Sequence, residues 1–147
     1  MARFMRTDSY NNAMDKFSEA KDEFKKAEEF REQEDLYMAL TRYQRAAVIA
    51  LQAYLYYKIE SSVILIYESI TELLETAINV EADFDTVSKT KKLDRLSRIV
   101  IPHRSLNDVY IDEQSTPGID DPLEVQEGRE LSKMVLDFIQ GKFNSIE

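Results

Sequence analysis

From Asn11 onward, Ala13, Phe17, Ala20, Phe24 and Ala27 recur at alternating spacings of four and three, with Lys, Glu and Asp on the opposite face. That rhythm predicts an outer helix showing one narrow apolar stripe to a partner and a charged face to water, its end marked by EEFREQED near Asp35. Residues 1–10 lack the seam and read as a flexible N-terminal tail, which leaves 11–147 as a single domain. Leu36 to Ile59 is different in kind. It has no Gly or Pro, is rich in Ala and Leu, and is apolar around most of its circumference, as expected of a long central helix buried by the rest of the chain. Its few polar positions, Arg42, Arg45 and Gln52, fall near one another at helical spacing and read as the solvent strip of that helix, with a ligand contact as the alternative.

Ser61 and Ser62 offer a cap for a third helix over 61–80, in which Glu68, Glu72 and Glu75 continue a helical period behind the apolar run Val63–Tyr67. EADFDTVSKT reads as a connecting loop. KKLDRLSRIVI then predicts a short helix with Leu93, Leu96, Ile99 and Val100 inward and its basic residues outward, stopped by Pro102. The stretch His103–Asp121 is irregular and acidic. Asp121-Pro122-Leu123-Glu124 supplies an N-cap, a proline at the first helical position and a glutamate at the third, which together predict a helix start. Leu131, Met134, Val135, Phe138 and Ile139 line one face of that last helix, which is expected to fray near Gly141. The fold class is therefore all-α: an up-and-down helical bundle of four main helices plus a shorter basic helix.

Composition narrows the chemistry. With 147 residues the chain suffices to bury roughly two-thirds of its unfolded surface in one core. The absence of cysteine excludes disulfides and thiolate metal sites, and with no leader in evidence the expected compartment is cytoplasmic. The longest apolar run is far short of the roughly 20 residues a membrane-spanning helix needs, so no membrane partner is expected. His103 is the only histidine; no histidine metal site, phosphate loop, dinucleotide fingerprint or serine elbow is present, and neither a metal nor a cofactor is predicted.

The net charge of −9 argues against a general grip on nucleic acid, but the charge is uneven. Between Lys89 and Arg104, six bases (Lys89, Lys91, Lys92, Arg95, Arg98, Arg104) face one acid, Asp94, so this segment is +5 and the remainder −14. A local patch binds what the average repels. Arg98 and His103, spaced R-x4-H, with Arg104 alongside, would set an imidazole beside fixed positive charge, the arrangement metal-free cleavage of an RNA phosphodiester requires. The same residues also read as a helix-end histidine with solvated arginines.

An outer amphipathic helix, the Ala-rich YQRAAVIALQAYLYYK, the ESITELL helix, the basic LDRLSRIVIPHR, an acidic loop and the closing ELSKMVLDFI resemble, in that order, the HEPN superfamily of small helical prokaryotic domains. The resemblance covers roughly residues 11 to 143. It implies a homodimer, and a place beside a nucleotidyltransferase partner protein or in a toxin–antitoxin system. In that family R-x4–6-H marks metal-independent ribonucleases, so Arg98 would stabilise the phosphate and His103 would act in the acid–base step. Members without an active motif bind nucleotides, RNA or a partner protein, and here Lys91, Lys92, Arg95 and Arg104 would join Arg98 and His103 as the ligand-binding set. Three readings stand: a nucleotide- or RNA-binding domain, a ribonuclease, and a non-catalytic helical protein-interaction module.

Overall fold

A helix that is apolar on nearly every side needs cover on nearly every side, and the computed structural model, which describes residues 2–59, 70–80, 82–100 and 122–145, is built to give it. Five α-helices are described: α1 (Ala2–Glu32), α2 (Leu36–Ile59), α3 (Ile70–Val80), α4 (Lys91–Val100) and α5 (Pro122–Asn144), with a 3-10 helix over Ala82–Thr90. There is no strand among the described residues. Helix α2 sits at the centre, touching α1, α3, α4 and α5, and α1 shares the most extensive interface with it. Ala39, Ala46, Ala47, Ala50 and Ala53 of α2 are all fully buried, because a methyl side chain lets neighbouring helices close on its backbone.

The seam of α1 meets α2 as its spacing predicts: Ala13, Phe17, Ala20 and Ala27 are buried and Phe24 packs against the core. Helix α1 begins at Ala2, so the segment expected as a loose tail is helical; it holds no Gly or Pro to stop propagation from the anchored part of the helix. The reversal into α2 is made without glycine. Glu34 takes a left-handed backbone (φ 61°), its N–H donates to Arg31 O at 3.0 Å, and Asp35 N–H donates to Phe30 O at 2.9 Å, the paired bonds that close a helix C-terminus. Asp35 then caps α2, its Oδ1 accepting the Met38 N–H at 3.2 Å.

Helix α5 lies parallel to α2 and antiparallel to α1. Gly128 faces Leu40, the Ser132 hydroxyl donates to Tyr43 O at 2.7 Å, and Phe143 stacks edge-on to Tyr54, an ascending register along both helices. Against α1 the order reverses, from Arg31 with Gln126 to Phe17 with Phe143. The buried face of α5 is Val125, Gly128, Ser132, Val135, Leu136, Ile139 and Phe143, while Leu131, Met134 and Phe138 of the expected face are only partly covered. Helix α5 also runs past Gly141 to Asn144. Phe143 explains the extension, since its ring sits among Tyr10, Phe17, Tyr54 and Tyr57 at centroid distances of 5.5 to 6.3 Å.

Two further expectations are corrected. The stretch after α3 is a 3-10 helix rather than a loop, held by Phe84, which is buried against Tyr54 and Phe138. Nor do Arg42, Arg45 and Gln52 form a solvent strip: Gln52 is 2% exposed, and both arginines turn to the Glu23 carboxylate of α1, at 2.8 Å and 3.6 Å. The first part of the expected 61–80 helix, with its Ser61 and Ser62 cap, and the acidic stretch His103–Asp121 lie outside the described residues.

Two predictions follow from this packing. A Cβ on Gly128 would collide with Leu40 Cδ1 and stand 3.3 Å from Leu93 Cδ1. Overpacking of that kind costs about 1–3 kcal/mol, more than the helix propensity an alanine returns, so Gly128→Ala lowers stability in urea denaturation. In a Leu40→Ala background the same change becomes neutral or favourable; additive effects would refute the contact. Separately, the Tyr43 hydroxyl is buried with no hydrogen-bond partner among the described residues, and burial followed by the neighbouring Glu28 carboxylate pushes its pKa upward. Because the folded state then favours the neutral phenol, that contribution is intact below the ordinary tyrosine pKa of about 10 and is lost as pH climbs above it. Tyr43→Phe is expected to remove that part of the alkaline decline in stability, read as unfolding free energy against pH; parallel curves for the two proteins would contradict it.

Candidate nucleic-acid interface

Helix α4 owes its orientation to two leucines and one carboxylate. Leu93 and Leu96 are buried, with Leu93 reaching Gly128 of α5 beside Leu40 of α2. Asp94, 2% exposed, also turns inward: its Oδ1 accepts the Ile70 N–H at 3.4 Å and its Oδ2 accepts the Thr71 hydroxyl at 3.1 Å, fastening α4 to α3. The one acid of the basic segment is thereby withdrawn from the surface. Lys91, Lys92 and Arg95 are exposed on the outer side. Lys91 and Arg95 stand one helical turn apart, about 6 Å along the axis, and position 98 continues the same i, i+4, i+7 register.

The cations are not equivalent. Lys92 Nζ lies 2.6 Å from Glu127 Oε1 of α5, so part of its charge is answered inside the chain. Both groups are substantially exposed, and such a pair contributes little to stability. Of Arg98 the structure describes the backbone, at the end of α4; its side chain, and all of His103 and Arg104, lie outside the described residues. Among the predicted residues, then, Lys91, Lys92 and Arg95 share one exposed face. Among the described residues no group of His, Cys, Asp or Glu is arranged to hold a metal ion, and no helix is long and apolar enough to cross a membrane.

The sequence reading missed a second polar cluster where α1 and α5 meet. Arg129 Nε donates to Glu28 Oε1, an interaction that raises the arginine's pKa, and Arg31 donates to Gln126 Oε1 at 2.7 Å. Glu28 is also 3.9 Å from Arg31. Opposite charges about a hundred residues apart carry no local signal, so only the antiparallel register of α1 and α5 reveals them.

The Asp94 contacts generate a test. Asp94→Ala leaves the Ile70 amide and Thr71 hydroxyl without their acceptor and is expected to cost about 1–3 kcal/mol, with Asp94→Asn, which keeps one acceptor oxygen, losing less. Equal stability of the alanine variant and the parent in urea would show that the carboxylate does not hold α4.

The chain has no match among curated proteins or among solved structures. A family model described as the HEPN domain, however, matches residues 13–142, from the seam of α1 to the last turn of α5. With that span and the helical order described above, the chain belongs to the HEPN domain family.

Proposed function

We propose that this HEPN domain binds nucleotide or RNA through the outer face of α4, with Lys91 and Arg95 as primary phosphate contacts and Arg98, His103 and Arg104 extending the set. The observation that carries the reading is the inward turn of Asp94, which leaves exposed bases with no acid of α4 among them. Lys92 is assigned a lesser part because Glu127 competes for it. In this reading the chain works as a homodimer, alone or beside a nucleotidyltransferase partner, as its family resemblance implies. The R-x4-H spacing of Arg98 and His103, with Arg98 in register with Lys91 and Arg95, favours a second reading in which the bound RNA is cut without a metal.

Titration of a fluorescent single-stranded RNA, and separately of ATP, tests the first reading. Saturable binding is expected at roughly 50 mM salt, weakening as salt rises, with each lost phosphate contact reducing the slope of log K against log salt by roughly 0.7. The surface substitutions Lys91→Gln and Arg95→Gln together should lower affinity about tenfold at that salt. No affinity for either ligand at low salt removes the proposal. In the same samples with EDTA, RNA cleavage that disappears in His103→Ala supports the ribonuclease, whereas cleavage persisting in that variant excludes His103 from the chemistry.

A further inference from the structure

At the end of the bundle where α1 turns into α2 and α5 begins, a cleft of about 800 Å³ opens to solvent. Leu36, Pro122, Leu123 and Val125 supply its apolar walls, and Arg31, Glu32, Glu34 and Gln126 its polar rim. Leu123 is 76% exposed, the one large hydrophobic so exposed among the described residues. Leu123 does not stand alone: exposed Pro122 and half-buried Leu36 line the cleft with it, and contiguous apolar surface in a concave setting is what contact sites use. The charge around it is one-sided. Arg31 on the rim is engaged by Gln126 and Glu28, whereas Glu32 and Glu34, with Glu29 and Glu124 close to them in sequence, have no cationic partner among the described residues.

We infer that this cleft docks a cationic amphipathic segment of a partner protein, its apolar residues against Leu36, Pro122 and Leu123 and its Lys or Arg residues over Glu32 and Glu34. The chain's own material fits poorly. The segment leading into α5 carries Asp108, Asp112, Glu113, Asp120 and Asp121 with no base after Arg104, so its charge has the sign of the rim. Helix α4 of a second copy has the right charge, but Leu93 and Leu96 are spent in its own core, and the described residues exposed on its outer face are Lys91, Lys92 and Arg95. A helix presenting leucines at i, i+3, i+4 and i+7, with lysines flanking them, meets both requirements at once. The inference is independent of nucleotide or RNA binding at α4 and survives its failure.

The test uses the whole chain and a model peptide of about 14 residues, some 21 Å as a helix, built of leucine on one face and lysine on the other. Anisotropy titration is expected to give saturable binding, while the same peptide with glutamate for lysine does not bind. Leu123→Asp and the double variant Glu32→Lys/Glu34→Lys, both confined to exposed positions, should each weaken binding roughly tenfold or more. Asp15→Lys/Glu19→Lys, which changes net charge equally at exposed positions elsewhere on α1, should leave it nearly unaltered. Amide shifts on peptide addition should centre on residues 31–36 and 122–126. Absence of binding, equal losses in the cleft and control variants, or equal affinity for the glutamate peptide would each overturn the docking site.

Discussion

The burial of α2 governs the rest of the molecule. A 24-residue helix whose accessible positions, among the described side chains, are Leu36 at its start, Arg42, Arg45 and a few residues near its C-terminus cannot be covered by one neighbour. Helix α1 takes one side, α5 the next, and α3, α4 and the 3-10 helix complete the enclosure. The small residues of α2 set how closely these elements approach, and at Gly128 on α5 there is no room for a side chain beside Leu40. Several polar groups drawn into the enclosure are answered locally, Thr41 donating to Tyr37 O, Ser132 to Tyr43 O, and Glu23 receiving both arginines, whereas the Tyr43 hydroxyl has no such partner among the described residues. Such closure is what a buried polar group requires if it is not to cost stability.

What the sequence discloses and what it hides divide along physical lines. Periodic apolar positions report a helix and its buried face, so α1, α2 and α4 are legible, and the Asp-Pro-Leu-Glu start of α5 is legible from capping chemistry alone. Element ends are set by tertiary contact and are not. Phe143 carries α5 beyond a glycine because an aromatic cluster receives it, and Glu34 adopts a glycine-like conformation because α1 and α2 on either side of it are fixed. Arg42 and Arg45 mislead for a related reason. Charge on a core helix suggests solvent until a carboxylate on the neighbouring helix is found opposite it, and Glu23 sits on what the heptad-like pattern of α1 presents as its polar side.

The basic segment shows how far a charge count can be carried. Summed along the chain it is +5, but the quantity that a ligand meets is the charge left outward once internal partners are assigned. Asp94 leaves the surface to hold α3, which strengthens the outer face, and Lys92 is shared with Glu127, which weakens it. Neither assignment is visible from spacing, since Asp94 lies between Lys92 and Arg95 with nothing in the sequence to say which way it turns.

The Lys92–Glu127 pair also marks a boundary. Glu127 of α5 pairs with Lys92 of α4, while the residue before it, Gln126, lines the cleft at the acidic end of the bundle. Fields from exposed charges fade over a Debye length of about 8 Å at physiological salt, so two patches of opposite sign on adjoining elements stay distinct only if little charge leaks across the border. An ion pair on that border neutralises the charge nearest the junction. On the two proposed readings, Glu32 and Glu34 would repel a polyanion at α4 from the cleft, and Lys91 and Arg95 would repel a cationic segment in the cleft from α4. On those readings the arrangement would separate two ligand classes by sign on one small domain, which a uniformly acidic surface of the same net charge could not do.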